Sequence, residues 1–355
     1  MTKYIFCFDG TCNDPEDSGS FFEDTSISNV LKLHAFFGGS LNPPNIANPD
    51  MPDQRSFYYS GVGTRGNWLK QKFNAMFAPP EGDIEDILNE AKKDIESLNV
   101  QSEDDVYIFG FSRGAAIARM FASVIEQRVK FIGVFDTVAA TKGSLDLNPS
   151  TFPASGVVFE NGTIRSGIDQ ALHLISLDEK RLAFQPTLFN QDERVTEVWF
   201  PGVHSDIGGG YWFDGLSDIT LKFMLNAVNG DLSILPLDSV DYERLRVVGG
   251  QDAICGDDLT IKPLPNGKLH EQQRAGLSAK TLSPRFVRVD KDDHPIRIDN
   301  DDQPKKQDVP VLHVSVANRF HTVTNYRPYA LRNLKYRVMD EAGNIGEPKK
   351  GLADL

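Results

Sequence analysis

The stretch Val106-Tyr107-Ile108-Phe109-Gly110-Phe111-Ser112-Arg113-Gly114-Ala115-Ala116 sets a serine between two glycines, one two residues before it and one two residues after. A serine at this spacing can be a nucleophile toward a carbonyl carbon, provided a sharp turn lifts its hydroxyl clear of the backbone. The apolar run before it reads as a strand, and Ile117-Ala118-Arg119-Met120-Phe121-Ala122 after it reads as a helix. Glycine suits the two flanking positions because a side chain there would strike the neighbouring strand or helix. The helix start then aims backbone N–H groups at whatever the serine attacks. A purely structural tight turn is the other use of the same five residues.

A serine hydroxyl is a poor nucleophile until a base takes its proton, and an imidazole suits that task near neutral pH. Of the seven histidines, His204 is best placed, because it directly follows the strand-like run Val195–Phe200 inside a loop that ends Gly208-Gly209-Gly210. His173 lies within a strand-like run and reads as a packed or hydrogen-bonded residue, His313 is the weaker second choice as base, and His34, His270, His294 and His321 read as surface or packing residues. The acid that orients the imidazole has two candidates, Asp136 and Asp178, each closing a strand that follows the serine. Asp136 stands alone after a hydrophobic run and is preferred. Asp178 is flanked by Glu179, Lys180 and Arg181 and reads as a solvated helix start. Asp206 reads as a brace of its own loop. An oxyanion would need two N–H donors, one from Arg113 and one from the turn after the first strand, Gly10 or Thr11, a turn that Asp9 would hold in shape.

Six strand-like runs end at residues 8, 60, 109, 135, 177 and 200, each followed by polar or glycine-rich residues. Helical spacing marks residues 28–38, 84–98 and 216–228, the first with a serine or asparagine cap and the last capped by Ser217. Strands alternating with helices long enough for crossovers predict a mostly parallel sheet with helices on both faces. With the serine turn and the order Ser, acid, His, this predicts an α/β fold of α/β-hydrolase-like organisation. Residues 1–235 would form the catalytic core and 236–355 a less regular C-terminal extension packed on it, with a late strand over Val309–Val316.

Composition narrows the function. The chain has 355 residues with 40% apolar, and a net charge of −13 argues against nucleic acid as a partner. Cys7, Cys12 and Cys255 make neither a disulfide framework nor a zinc spacing, and no cofactor or metal is called for. The first residues run into a strand at once, too short for a signal peptide, and nowhere are there 18 uninterrupted apolar residues. A protein cytoplasmic as made is expected, with any export by a leaderless route. Arg65–Ala78 inverts the local charge and carries Trp68, Phe73 and Phe77, so it reads either as a core-packed loop or as a membrane-facing lid.

The run Phe8-Asp9-Gly10-Thr11, the serine turn, Gly133-Val134-Phe135-Asp136-Thr137-Val138 and the block Trp199 to Tyr211 together resemble the catalytic domain of the Tle1-like type VI secretion phospholipase effectors. The resemblance is specific over residues 4 to about 225 and loose beyond 236, and Cys12 stands where that family's turn often has glycine. It implies a Ser-Asp-His hydrolase of phospholipid esters, with Ser112, Asp136 and His204 in the three roles, delivered by bacteria into competitors. An immunity or secretion-carrier protein would be the partner it implies. A hydrolase of soluble small esters and a non-catalytic binding domain are the alternatives.

Overall fold

The strand β1 (Lys3–Phe8) is buried from Tyr4 to Phe8. Successive side chains of a strand point to opposite faces, so a continuous apolar run has to be covered on both sides. Ile5 and Cys7 pack into one hydrophobic core, and Tyr4, Phe6 and Phe8 into another. The computed structural model describes residues 1–10, 24–41, 48–61, 81–138, 164–181, 184–189, 192–247, 253–271, 282, 284–285, 296–298, 304–306 and 309–355.

Among these residues, β1 joins β2 (Gln54–Tyr59), β3 (Asp105–Phe111), β4 (Val129–Phe135), β5 (Ile168–Ser176), β6 (Val195–Phe200), β9 (Val311–His313), β10 (Lys335–Met339) and β11 (Lys349–Lys350) in a nine-stranded sheet. The order across the sheet is β2-β1-β3-β4-β5-β6-β9-β10-β11, parallel throughout except for the β10–β11 pair. β7 (Ile296–Ile298) and β8 (Pro304–Lys306) form a separate antiparallel hairpin. Helices α1 (Asn29–Phe36) and α5 (Ser217–Val228) fill one face through Val30, Leu33, Leu221 and Met224. Helices α2 (Glu81–Ser97) and α3 (Ser112–Val124) fill the other through Ile87, Ala91, Ile117 and Phe121. This is the α/β-hydrolase fold.

The strand order fixes where chemistry can occur. The chain passes from β1 to β2 on one side and then to β3 on the other. Connections that leave neighbouring strands in opposite directions open a crevice at their carboxyl ends, where ligands bind in open α/β sheets. Ser112 sits at the carboxyl end of β3, beside that of β1.

The strand ends fall within two residues of the expected positions, β3 running on to Phe111 rather than stopping at Phe109, and Ser28 caps α1 by accepting from the Leu31 N–H at 3.1 Å. Three local expectations are corrected. Ser217 is not the cap of α5: Leu216 occupies that position, and the Ser217 hydroxyl donates to the Asp214 carbonyl at 3.0 Å. The late strand stops at His313, because the His313 ring takes the Ser315 N–H at 3.2 Å and starts α7 (Val314–Thr322) instead. Glu179 and Arg181 do not begin a solvated helix: Glu179 is fully buried and pairs with Arg181 at 2.8 Å. Beyond residue 235 the chain continues the same sheet through β9 to β11, and Leu312, Val316 and Tyr336 pack with Ile175, Leu177 and Trp199 in a third core.

The close approach of α3 to β1 depends on glycine. A Cβ on Gly114 would lie 2.1 Å from the Asp9 carbonyl oxygen and 2.4 Å from that of Phe8, and one on Gly110 would lie 2.7 Å from the Ala115 Cα. Backbone cannot swing aside as a side chain can. Gly114→Ala should therefore lower the thermal midpoint by several degrees, the effect of an overpacking cost of about 1–3 kcal/mol; an unchanged midpoint would mean the turn has slack.

Candidate active site

β3 ends at Phe111 and α3 begins at Ser112, whose φ of 57° lies in the left-handed region. A non-glycine residue held there stores about 1–3 kcal/mol, and such strain clusters at functional positions. Asp136, directly after β4, shares the feature with a φ of 39°. The pairing of β3 with β4 sets Phe111 opposite Phe135, so the residues that follow, Ser112 and Asp136, leave the sheet side by side. The Val138 N–H then donates to the Ser112 carbonyl at 3.2 Å.

His204 opens α4 (His204–Gly208), the short helix after β6. Its ring lies between Phe111, with centroids 4.6 Å apart, and the edge-on ring of Phe184 at 4.9 Å. The Nδ1 atom is 2.6 Å from Asp136 Oδ2 and Nε2 is 2.8 Å from Ser112 Oγ. An ionised carboxylate only accepts, so Nδ1 carries the ring proton and donates it to Asp136. Nε2 is left as the acceptor for the serine hydroxyl. The three residues are 6%, 0% and 4% exposed for Ser112, Asp136 and His204. Burial pushes the imidazole below its ordinary value, against the pull of Asp136 toward the protonated form.

Asp136 is ionised although it is wholly buried. Burial would raise its carboxyl, but the Arg285 guanidinium and the His204 ring outweigh burial and hold it well below the usual carboxylate range. Arg285 donates through Nη1 to Oδ1 at 2.6 Å and through Nη2 to Oδ2 at 2.9 Å, and the Ser176 N–H donates to Oδ1 at 3.0 Å.

The remaining residues singled out by sequence separate from this cluster. Asp178 accepts from the Gly202 N–H and the Tyr326 hydroxyl, both at 2.8 Å, and burial raises its carboxyl to about 6. Asp206 accepts from the Val203 N–H at 2.9 Å and from the His270 ring at 2.6 Å, bracing the loop that carries His204. Asp9 holds the turn after β1, accepting from the Gly10 N–H, the Ser28 hydroxyl and the Tyr58 hydroxyl at 2.6, 2.5 and 2.7 Å. His173 accepts from the Thr137 N–H at 3.0 Å and faces Glu197 at 3.0 Å, and His313 is buried against Phe200. Arg113 lies in the first turn of α3, whose N-terminus has no side-chain cap. Thr11, Trp68, Phe73 and Phe77 lie outside the described residues.

Arg285, Glu179, Arg181 and Phe184 were not among the expected site residues. Glu179 accepts the His204 N–H at 3.1 Å, and Arg181 lies 3.5 Å above the Phe184 ring. No spacing in the sequence signals them; they come together only through the fold. Among the described residues there is no group of His, Cys, Asp and Glu able to hold a metal, and no helix long and apolar enough to cross a membrane.

Solved structures resemble the chain over part of its length. A protein from Pseudomonas aeruginosa aligns at 19% identity over 67% of this chain and 47% of its own, with a TM-score of 0.42. A Tle1 effector bound to the VgrG spike of a type VI secretion system aligns at 23% identity over 59% of this chain and 51% of its own, with a TM-score of 0.37. The chain thus spans about half the length of each. No curated protein matches it. The model of the type VI secretion Tle1-like phospholipase effector catalytic domain matches residues 2–128 and 126–227, a span that holds Ser112, Asp136 and His204, and the chain belongs to that family.

Proposed function

We propose that the protein is a serine esterase that hydrolyses carboxylic esters, above all the acyl esters of phospholipids. The observation that carries this reading is the buried relay from Ser112 Oγ to His204 Nε2 at 2.8 Å and from His204 Nδ1 to Asp136 at 2.6 Å. Ser112 Oγ attacks the ester carbonyl carbon while His204 Nε2 takes the hydroxyl proton, giving a tetrahedral oxyanion and an imidazolium beside Asp136. The imidazolium returns that proton to the departing alkoxide as the C–O bond breaks, leaving the acyl group on Ser112. Water, deprotonated by His204, repeats the sequence and releases the carboxylic acid and free serine.

The oxyanion is met by the Arg113 N–H at the start of α3 and by a donor in the turn after β1. Gly10 and Thr11 are the two candidates, and Thr11 is preferred because the Gly10 N–H is engaged by Asp9. Residues 1–235 supply the nucleophile, acid and base, and 236–355 form an extension packed on them. Trp68, Phe73 and Phe77 are proposed to meet the lipid surface. Membership of the effector family supports export by a type VI system, with a secretion carrier and an immunity protein as partners.

Ser112→Ala should abolish hydrolysis by about 10⁶-fold with folding intact, and a fluorophosphonate should label Ser112 alone. Ester hydrolysis retained in Ser112→Ala would sink the assignment. A lipid panel then separates the substrate classes: a phospholipase jumps in rate at the micelle threshold, whereas an enzyme for soluble esters does not.

Asp136→Asn should cost about 10⁴-fold in kcat, because an amide no longer selects the tautomer that keeps Nε2 free. Asp178→Asn should leave the rate within roughly tenfold of wild type, the modest effect expected of a residue that only braces a loop. The reverse ranking would move the acid to Asp178.

The pH profile tests the base. His204 must be uncharged to accept the serine proton, and its lowered value keeps it uncharged to lower pH than an ordinary imidazole. Activity should therefore persist below pH 6.5 and fall only as pH drops through the lowered value. An acid limb of kcat/KM centred at or above 6.5 would contradict this.

A further inference from the structure

We propose that Arg285 is a positioning residue of the active site, whose guanidinium fixes the plane of the Asp136 carboxylate and sets how tightly the Asp136–His204 pair holds a proton. The proposal rests on the serine-esterase reading and deepens it. Arg285 lies beyond the residues that match the family model, in the C-terminal extension, 149 positions along the chain from Asp136.

The geometry gives the guanidinium more than one task. Its two terminal nitrogens grip both oxygens of Asp136 in a fork, at 2.6 and 2.9 Å, with both side chains fully out of solvent. Such a fork defines a plane, which a single ammonium does not. The same nitrogens donate to the Ser176 carbonyl at the end of β5, at 2.8 Å, and to the Phe184 carbonyl. Phe184 is the residue whose ring stands edge-on to His204. One side chain thus ties the acid, the neighbouring strand end and a wall of the base together.

The charges around the base single out the same residue. Facing His204 are Asp136 from the end of β4 and Glu179 and Arg181 from beyond β5, while Asp206 lies two residues further along α4 itself. Glu179 is matched by the Arg181 guanidinium, and Asp206 is hydrogen-bonded to the His270 ring, which also reaches Asp24. His173, inside β5, faces Glu197. Asp136 is matched by Arg285. With the guanidinium in place the carboxylate stays ionised despite its burial, and the single negative charge of the Asp136–His204 pair is balanced by Arg285. Without it that negative charge would be uncompensated and the pair would hold a proton more tightly, whichever of the two groups carried it. The base would then be occupied at higher pH.

The test uses the full chain with Arg285→Gln and Arg285→Lys, reading the rate of fluorophosphonate labelling at Ser112 against pH beside thermal unfolding. Arg285→Gln, which loses the charge, should move the acid limb of the labelling rate upward by roughly one to three pH units. Arg285→Lys, which keeps the charge but not the fork, should keep the limb near its wild-type position and label at least about tenfold more slowly at the plateau, the scale of a misplaced acid–base pair. Purely structural cement would lower the unfolding temperature of both variants and leave the limb of the folded fraction in place, which would overturn the proposal. Should Arg285→Gln fail to fold, Arg285→Lys decides: a plateau rate equal to wild type overturns it. A wild-type chain that is never labelled at Ser112 would instead remove the esterase reading, and the proposal with it.

Discussion

A wholly buried carboxylate is the constraint that the rest of this site answers. Asp136 is wholly buried, and an isolated charge there would be far too costly to keep. It is kept by donors from widely separated parts of the chain: the Ser176 N–H at the end of β5, the His204 ring from α4 and the Arg285 guanidinium from the extension. Removing one partner of such a buried pair costs about 3–5 kcal/mol, whereas the pair itself adds little net stability. The arrangement is therefore better understood as holding a shape than as holding the fold together. The shape is a carboxylate whose Oδ2 faces one ring nitrogen of His204 and leaves the other to Ser112.

That shape is reached through two strained backbone positions. Ser112 and Asp136 both have positive φ and both follow directly on paired strands, so the sheet aims them at a shared point. The sheet can hold them because its central strands are buried on both faces, with α1 and α5 on one side and α2 and α3 on the other. The turn after β1 is drawn into the same construction. Asp9 gathers Gly10, Ser28 and Tyr58, and its carbonyl sits where only a glycine of α3 can pass.

Much of this was legible in the residues. Glycines on either side of Ser112, an apolar run ending in Asp136, and a histidine directly after β6 each reflect a local requirement, and local requirements leave local signals. Standing alone after a hydrophobic run already favoured Asp136 over Asp178, but the geometric reason for that choice was not of that kind. Both close a strand, and only the order β3-β4-β5 shows that Asp136 ends the strand next to Ser112 while Asp178 lies one strand further on. Glu179 and Arg181 were misread because a run of charges suggests solvent, whereas here the two neutralise each other in the interior. Arg285 had no signal at all. Its role depends on contacts with Asp136, Ser176 and Phe184, far from it in sequence, and nothing in the segment around it announces them.

Family membership and geometry bear on different questions. The first concerns the kind of ester and the route of delivery; the second concerns which atoms do the chemistry. The proposed covalent intermediate joins them, since on the serine-esterase reading the acyl group passes through Ser112 whatever ester supplies it. The most direct measurement is the intact mass of the chain quenched during turnover of a slowly deacylating carboxylic ester, with the modified residue located by peptide mapping. One acyl group per chain on Ser112, absent from Ser112→Ala, is the expected result. Turnover without an adduct, or an adduct on any other residue, would contradict the serine mechanism.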